Sequence, residues 1–465
     1  MLRLYDTASE RAHELVPSSG VLGLYVCGPT VYGPPHVGHG RLALVFDVLR
    51  RYLEHRGETV RHVSNVTDVD DKIIDRSRAE GRPWQAIAEE AEAAWWSAMS
   101  DLSVLRPHEV PHATSYVEGM VELVEDLLGR GAAYRAPDGV YLSVAAVDGY
   151  GLLAHQDLEA LRAGERVHAE AGKRSPLDFA LWKAAKAGEP SWPAPFGAGR
   201  PGWHTECVVM SLALLGEAFS LHGGGYDLRF PHHENERAQA VALGRPFARH
   251  WIHNGLVEVA GQKMSKSLGN YLTLAELVER ADPRAYRLLV LRAKYRSPLE
   301  VTPELLGEAG RAVERLDELA GRLAAARPVA GGPGATGGPG ERSAATAADA
   351  LAARFVAAMD DDLDTASAVA ALFDGVREAN RLLDAADAAG GVALGGRVLD
   401  SFSAVGLATK DPFSQAPDEA VQALARRRDA ARAARDWAAA DAARAEIEAL
   451  GWRVEDSPSG TRLRR

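Results

Sequence analysis

Cysteine is scarce in this chain. Its 465 residues include only two, Cys27 and Cys207. A framework of disulfides is therefore not expected, and two isolated cysteines in a chain of this length favour a metal-binding or catalytic role. The alternative is that both are simply buried thiols that pack as small apolar side chains.

An excess of positive charge and long apolar runs are also missing. The formal net charge of −11 argues against indiscriminate binding to nucleic acids. A local basic surface is still compatible with it, because Val421–Arg465 contains ten arginines and seven acidic residues. No apolar run approaches the roughly 18 residues that span a bilayer, and the first fifteen residues lack an apolar signal core. We expect a cytoplasmic protein without membrane contact.

The composition is that of a globular protein, with 46% hydrophobic and 25% charged residues, and the length predicts two to four domains. Val21–Val26 reads as a buried strand, Leu42–Tyr52 as a helix and Thr59–Asp68 as a second strand. This order predicts a parallel sheet. The fold class is therefore α/β: a Rossmann-like parallel-sheet catalytic domain with an insertion, followed by a mainly helical C-terminal region.

Composition and motifs together predict seven regions. They are the first half of the parallel-sheet domain at 1–115, an insertion at 116–200, the second half of that domain at 201–255, a helical region that begins with the KMSKS sequence at 256–329, a Gly/Pro linker at 330–340, a helical domain at 341–400 and a tail at 401–465. A glycine break near residue 390 and a closing strand pair are expected after the linker.

Two short motifs carry the first chemical signal. PTVYGPPHVGHGR, Pro29–Arg41, lies between the first strand and its helix, where backbone N–H groups and a positive helix end can bind phosphate. His36 and His39 flank Gly38, against which a flat adenine or ribose can lie. KMSKS, Lys263–Ser267, is the second motif. Taken alone, two histidines at this spacing are more often a helix cap or a core pair, and a Lys-Met-Ser-Lys-Ser sequence is usually a solvated loop.

A metal site is the second signal. His232 and Glu236 are four residues apart, so on a helix beginning near Pro231 they share one face. With Cys27 and Cys207 they make a plausible Cys2HisGlu zinc shell. His222 and His233 are competing ligands, and His233 ranks lower because it lies one residue off that face. The alternative is two buried cysteines beside an ordinary helix cap.

Acidic residues follow the second strand. Thr67 stands among Asp68, Asp70 and Asp71, at the edge where parallel sheets bind ligands. The same acids are equally consistent with a helix cap and a solvated face.

Six motifs together give the chain a family resemblance. YVCGPTVYGPPHVGH, NVTDVDDK, GRPGWHTEC, HGGGYDLRFPHHENE, KMSKSLGN and MDDDLDT resemble the cysteinyl-tRNA synthetase family of class I aminoacyl-tRNA synthetases. The resemblance implies that cysteine and ATP form cysteinyl adenylate, and that cysteine then passes to the 3′ adenosine of tRNA(Cys). It also implies one Zn²⁺ per chain on Cys27, Cys207, His232 and Glu236, with the metal binding the substrate thiolate. A thiolate is a far better zinc ligand than a neutral hydroxyl, so the metal would separate cysteine from serine.

The resemblance further implies that 1–115 and 201–255 form a nucleotide-binding catalytic domain, that 256–329 holds the KMSKS loop and a stem-contact region, and that 401–465 is an anticodon-binding tail. It also implies roles for individual residues. His36, His39, Lys263 and Lys266 would be catalytic; Thr30 and Gly38 would join His36, His39 and Lys266 in binding ATP with Mg²⁺; Gly28, Thr67, Trp203, His222 and Asp227 would bind cysteine; Arg432, Trp437 and Asp441 would bind the anticodon of the tRNA. ATP, L-cysteine and tRNA(Cys) are the expected partners of a monomer.

Some positions depart from the family pattern. Val37 replaces the usual Ile, GPP at 33–35 lacks an Asp that many members carry, VVM follows Cys207 in place of small residues, and DTAS at 364–367 lacks a common proline. One alternative is a related ligase that passes cysteine to an amino sugar in mycothiol synthesis, but residues 341–465 favour the synthetase. A catalytically idle paralogue that binds RNA or zinc is another, and the intact motifs count against it.

Overall fold

The computed structural model of the chain describes residues 1–18, 20–155, 172–259, 262–263, 271–326, 339–410, 419–457 and 460–464. Lys266 and residues 330–338 of the predicted linker lie outside these ranges.

Fifteen strands occur in the described residues. They are β1 Arg3–Asp6, β2 Arg11–Glu14, β3 Leu22–Val26, β4 Val60–Ser64, β5 Ala133–Ala136, β6 Gly139–Leu142, β7 Phe179–Ala184, β8 Gly199–Pro201, β9 Leu221–Gly225, β10 Trp251–Asn254, β11 Val257–Val259, β12 Gln262–Lys263, β13 Leu299–Glu300, β14 Arg453–Ser457 and β15 Gly460–Arg464.

Fourteen α-helices accompany them in the same ranges. They are α1 Val37–His55, α2 Asp71–Glu80, α3 Trp84–Asp101, α4 Val117–Gly129, α5 Trp203–Leu215, α6 Glu234–Ala242, α7 Leu274–Arg280, α8 Pro283–Leu291, α9 Pro303–Ala326, α10 Pro339–Asp360, α11 Thr365–Asp384, α12 Ala388–Ser403, α13 Glu419–Ala433 and α14 Trp437–Ala449. No described helix combines the length and the apolar character needed to cross a membrane.

A four-stranded parallel sheet is the centre of the fold. Its order is β10-β9-β3-β4, and every neighbouring pair is parallel. All five residues of β3 are buried, as expected of a strand covered on both faces. The predicted strand, helix and second strand correspond to β3, α1 and β4, so the predicted α/β class is confirmed. The carboxyl ends of the four strands meet at one edge, where ligands bind in such sheets.

A four-stranded antiparallel sheet, β5-β6-β7-β8, lies between the two halves of the parallel sheet in sequence. It falls within the predicted insertion at 116–200, except that β8 ends at Pro201. A three-stranded sheet, β12-β11-β13, leads into the KMSKS region.

The chain forms two compact units. Unit 1 comprises Met1–Ala309, Arg354–Ala370 and Ala404–Gly406; unit 2 comprises Gly310–Ala353, Ala371–Ser403 and Leu407–Arg465. The units therefore do not follow the Gly/Pro segment, because Arg354–Ala370 belongs to unit 1. The first two residues of α10 also occupy the end of the predicted linker. The seven predicted ranges stay a prediction.

Two predictions fall in unit 2: a glycine break near residue 390 and a closing pair of strands. The glycine break expected near residue 390 is wrong, because Gly390, Gly391 and Gly395 lie inside α12. Side chains at Gly391 and Gly395 would come within 2.6–2.7 Å of Leu383 and Leu323, so the absence of a Cβ allows close helix packing. The closing strand pair is present as β14 and β15.

Candidate active site and metal centre

A cleft of about 1050 Å³, open to solvent, lies at the carboxyl edge of the parallel sheet. Segments that follow β3, β9 and β10 line it, together with residues of α1. The lining residues include Gly28, Thr30, His36, Gly38, His39, Lys72, Trp95, Trp203, Asp227, Asn254 and Leu256. Seven of these were predicted as site residues.

Gly28 occupies the tightest part of the cleft wall. A Cβ at this position would lie 1.7 Å from the backbone oxygen of Asn65, so only glycine fits. The Gly28 N–H donates to Asn65 Oδ1 at 2.9 Å. The ends of β3 and β4 are thereby held together at the floor of the site.

The two histidines of the first motif cap helix α1. His36 Nδ1 accepts from the His39 N–H, and His39 Nδ1 accepts from the His36 N–H, both at 3.3 Å. The rings stack with centroids 3.7 Å apart. Burial lowers the pKa of His39 to about 3, with smaller contributions from the neighbouring His36 and Lys72. His39 is therefore neutral at pH 7 and can donate a hydrogen bond to an oxyanion at the positive helix end. The predicted cap is confirmed, and it is compatible with phosphate binding.

The four predicted metal ligands converge. Cys27, Cys207, His232 and Glu236 are buried and present ligand atoms that lie within 4.8 Å of one another. Their two sulfurs are 3.7 Å apart, Cys207 Sγ is 3.7 Å from His232 Nε2, and His232 Nε2 is 3.0 Å from Glu236 Oε1. A tetrahedral zinc ion places two sulfurs about 3.8 Å apart and a nitrogen and an oxygen about 3.3 Å apart. The donor types and the spacing therefore both fit Zn²⁺.

A second group meets the same distance limit. Cys27, His222, His233 and Glu236 also lie within 4.8 Å of one another, and His233 Nε2 is 3.3 Å from Cys27 Sγ. The argument that ranked His233 below His232 by helix face is wrong. Helix α6 begins only at Glu234, and both histidines lie in the preceding π-helical turn Arg229–His233, where Phe230 is extended. Sequence spacing could not reveal this turn.

The predicted cysteine-binding residues divide into two groups. Trp203 and Asp227 line the cleft, and the Trp203 indole stacks on His232 with centroids 4.1 Å apart. Thr67 and His222 are buried behind it. The Thr67 hydroxyl donates to Glu206 Oε2 at 2.9 Å, and His222 Nε2 lies 2.8 Å from Glu236 Oε2.

Sequence reasoning missed Asn65 and Glu206. Asn65 Nδ2 donates to the Thr67 hydroxyl at 3.2 Å, and Asn65 Oδ1 lies 3.8 Å from Cys207 Sγ. Burial raises the pKa of the Glu206 carboxyl well above its usual range. Their presence inside the quoted motifs NVTD and GWHTEC was the available signal, but their partners are remote in sequence.

The acidic residues after β4 have structural roles. Asp70 caps α2 by accepting from the Lys72 N–H at 2.9 Å, and Asp68 accepts from the Thr114 N–H at 3.0 Å. Asp71 pairs with Lys183 and Arg200. The helix-cap interpretation of this cluster is therefore confirmed for Asp70.

The remaining predicted residues lie elsewhere. Lys263 ends β12, paired with Glu258 of β11, and its side chain is outside the described part of the structure, as is all of Lys266. In unit 2, Arg432 Nη1 pairs with Asp456 Oδ2 at 3.0 Å, Trp437 is 59% exposed at the start of α14, and Asp441 is exposed one turn later.

Known families match most of the chain. The family described as tRNA synthetases class I (C) catalytic domain matches residues 15–311, and the DALR domain matches residues 354–405. Together the two matches cover the cleft and helices α11 and α12.

Curated relatives are similar over the full length. The cysteine–tRNA ligases of Pseudomonas paraeruginosa and Halorhodospira halophila are each 42% identical over 475 aligned positions, covering 100% of this chain and 99% or 100% of theirs. The ligase of Sodalis glossinidius is 43% identical with 100% coverage of both chains.

Solved structures agree at the level of the fold. The Mycobacterium tuberculosis methionyl-tRNA synthetase in complex with methionyl-adenylate is 16% identical with a TM-score of 0.62, over 83% of this chain and 89% of that one. The Agrobacterium radiobacter K84 LeuRS in a ternary complex with tRNA and LeuAMS is 12% identical with a TM-score of 0.62, over 84% and 86%.

Proposed function

Because this chain belongs to the cysteine–tRNA ligases of the class I aminoacyl-tRNA synthetases, we propose that its cleft activates cysteine with ATP and then transfers it to the 3′ adenosine of tRNA(Cys). The amino-sugar ligase considered above is disfavoured, since the similar ligases span the whole chain, including residues 341–465.

The selection of cysteine is proposed to rest on one Zn²⁺ held by Cys27, Cys207, His232 and Glu236. The convergence of these four buried donor atoms within 4.8 Å carries the proposal. When bound, Zn²⁺ would act as a Lewis acid that binds the thiolate of cysteine and discriminates against the hydroxyl of serine. A 10⁴-fold preference corresponds to about 5.5 kcal/mol, within reach of a metal–thiolate bond.

The chain's own residues would hold the other reacting groups. His36, Gly38, His39 and Thr30 line the cleft and would hold ATP, with Mg²⁺ on its phosphates. His36 and His39 would donate to the α-phosphate oxygens, where negative charge increases as the cysteine carboxylate attacks. Lys266, assisted by Lys263, would neutralise the departing pyrophosphate.

The ammonium group of cysteine needs a partner of opposite charge, and its sulfur needs an apolar surface beside it. Asp227 and Trp203 both line the cleft. Asp227 would hold the ammonium group, and the Trp203 indole would form the pocket wall beside the sulfur. The Gly28 N–H donates to Asn65, and Thr67 donates to Glu206, so these two would support the pocket from behind. His222 would support Glu236 in the same way.

Recognition of tRNA is proposed for the tail. The exposed Trp437 indole suits stacking on an unpaired base, Arg432 suits a phosphate or base edge, and Asp441 can accept from a base amino group. We propose that the protein acts as a monomer.

Metal content and activity together test the zinc proposal. Purified protein is expected to contain about one zinc per chain. Cys207→Ser should lower the zinc content and the cysteine-dependent ATP–pyrophosphate exchange together. Ser211→Ala is a matched control on the same helix, since its hydroxyl bonds only Val208 O among its described contacts. Zinc-free wild-type protein with full exchange activity contradicts the proposal.

A further inference from the structure

Each of the two neighbouring histidines in the metal turn has another buried histidine behind it. His232 Nδ1 lies 2.9 Å from His204 Nδ1, and His233 Nδ1 lies 2.8 Å from His253 Nε2. The inference drawn from this pairing rests on the zinc site of the proposed function.

The protons in such a pair follow from coordination. A neutral imidazole that ligates a metal through Nε2 carries its proton on Nδ1, where it can donate to an acceptor. His232 faces Cys207 and Glu236 through Nε2. Its Nδ1–H then donates to His204 Nδ1, so the proton of His204 resides on its Nε2.

Three observations favour the ligand group that contains His232. It supplies two thiolates, which are soft ligands that favour zinc. Its two sulfurs are 3.7 Å apart, which matches the spacing of two thiolates on one tetrahedral zinc ion. Trp203, which lines the cleft, stacks on His232, so this group adjoins the space where a substrate thiol must enter.

We propose that His204 is a positioning residue for the metal centre: its Nδ1 accepts a hydrogen bond from the Nδ1–H of His232 and so fixes the ring and the tautomer that present Nε2 to the metal. His253 serves His233 in the same way but does not act on the metal.

The fold holds His204 firmly. It lies in the first turn of α5, three residues before Cys207, so one helix presents both a metal ligand and the support of another. The side-chain amide of Gln239 donates from Nε2 to the backbone oxygen of His204 at 2.8 Å. The same Gln239 Nε2 also donates to the backbone oxygen of Asn235, in α6, at 3.0 Å. The ring also packs edge-on against Phe179, with centroids 5.5 Å apart.

The experiment compares zinc affinity, measured by competition with a chromophoric chelator, in the full-length protein and its variants. His204→Leu removes the acceptor and should weaken zinc binding by about 10- to 100-fold, the usual effect of losing such a partner. His204→Asn places an oxygen near the position of Nδ1 and should restore most of the affinity. His253→Leu is the matched control and should leave the affinity within about threefold of wild type.

The absorption spectrum of the Co²⁺-substituted protein supplies a second readout, because it reports ligand geometry. It should change in His204→Leu and match wild type in His204→Asn. Unchanged affinity and spectrum in His204→Leu overturn the proposal, and so does a loss confined to His253→Leu. If His204→Leu fails to fold, a tenfold loss of affinity in folded His204→Asn overturns it. Wild-type protein that binds no zinc contradicts both the proposed zinc site and this inference. The three opposing results for the His204 and His253 variants contradict this inference alone.

Discussion

His62 shows how burial sets the protonation of a single side chain. It lies on β4 with both ring nitrogens buried and without a hydrogen-bond partner among the described residues. Burial, with smaller contributions from Arg50 and His108, lowers its pKa to about 3. The folded protein therefore keeps this ring neutral over a pH range in which the unfolded chain protonates it.

The stability of the protein should consequently fall in mild acid. In the unfolded chain the His62 ring has a pKa of about 6.5, so it binds a proton below that pH, whereas in the folded protein it does so only near pH 3. The free energy of unfolding therefore decreases as the pH falls through this range. The His62 contribution amounts to roughly 2 kcal/mol between pH 6.5 and pH 5. Urea denaturation at pH 7 and pH 5 measures it: His62→Leu should shrink the difference between the two pH values by about that amount. An equal difference in wild type and variant would contradict this explanation.

The metal ligands could be predicted from the sequence, but the residue that supports one of them could not. Residue type and the four-residue spacing predicted Cys27, Cys207, His232 and Glu236 as a group, and the structure brings them together. The partner of His232 was not predictable in the same way. His204 is 28 residues away, and its contact depends on a π-helical turn that no spacing rule contains.

At the level of elements, the acidic turn between α10 and α11 fastens a late segment onto unit 1. Asp362 Oδ1 accepts from the Tyr5 N–H at 2.8 Å and from the Tyr295 hydroxyl at 2.9 Å, and Oδ2 accepts from Arg296 Nη2 at 2.6 Å. Its φ of 55° is in the left-handed region, which Asp and Asn tolerate better than most residues. The motif MDDDLDT thus has a structural role.

Asp362→Ala should therefore destabilise unit 1. It removes four hydrogen bonds, because Arg296 Nε also donates to Oδ2 at 3.0 Å, and it places alanine at a positive φ. The expected loss is about 2–4 kcal/mol. Asp362→Asn retains one acceptor oxygen and tolerates the backbone conformation, so it should lose about 1 kcal/mol. Denaturant unfolding of both variants makes the comparison. Equal stability of the alanine and asparagine variants would count against this role for the carboxylate.

The antiparallel pair of β11 and β12 carries the start of the second motif. Glu258 pairs with Lys263, so the backbone of the first motif lysine is fixed in the three-stranded sheet. Lys266 is expected to act mainly while charge moves onto pyrophosphate. Lys266→Ala should lower the ATP–pyrophosphate exchange rate by about 10²-fold or more, with a smaller effect on cysteine binding. The exposed Lys186→Ala serves as control. An unchanged exchange rate with a raised KM for cysteine would assign Lys266 a different role.

Element prediction succeeded where periodicity was strong and failed where packing decided. The strand–helix–strand order of β3, α1 and β4 followed from apolar runs. The glycines of α12 suggested a break, yet close contact with Leu383 and Leu323 makes them helical. Propensity alone cannot indicate which glycines are selected for close packing.

On the scale of the whole molecule, a compositional linker and a compact unit need not share a boundary. Residues 330–340 are the most obvious break in the sequence, but Arg354–Ala370 returns to unit 1. Residues 419–464, by contrast, have a core of their own around Val421, Ile447 and Trp452. A sequence can show where a chain is unlikely to pack, but not which later segment packs back.

Two truncations should therefore behave differently. Ending the chain after Lys410 leaves the described part of unit 1 intact, so ATP–pyrophosphate exchange should persist while charging of tRNA(Cys) collapses. Ending it at Ala330 removes Asp362 and the rest of Arg354–Ala370, so the melting temperature and the exchange activity should both fall.

A single side chain tests the same assignment of the tail. Trp437→Ala should weaken tRNA binding by about 1–3 kcal/mol if the indole stacks on a base, with exchange unchanged. Full charging activity in the protein truncated after Lys410 would show that the tail does not read the anticodon.

The discontinuity of unit 1 also bears on how the protein is made. All four proposed zinc ligands have been synthesised once the ribosome reaches Glu236, but the last segments of unit 1 are Arg354–Ala370 and Ala404–Gly406. The buried hydrophobic cluster that contains both cysteines, however, consists of residues between Tyr25 and Trp251, so it is synthesised about a hundred codons before Arg354–Ala370. Folding of this cluster around β3 and β9 on the ribosome would bury both thiols before the rest of unit 1 exists, which limits oxidation and mismetallation during translation.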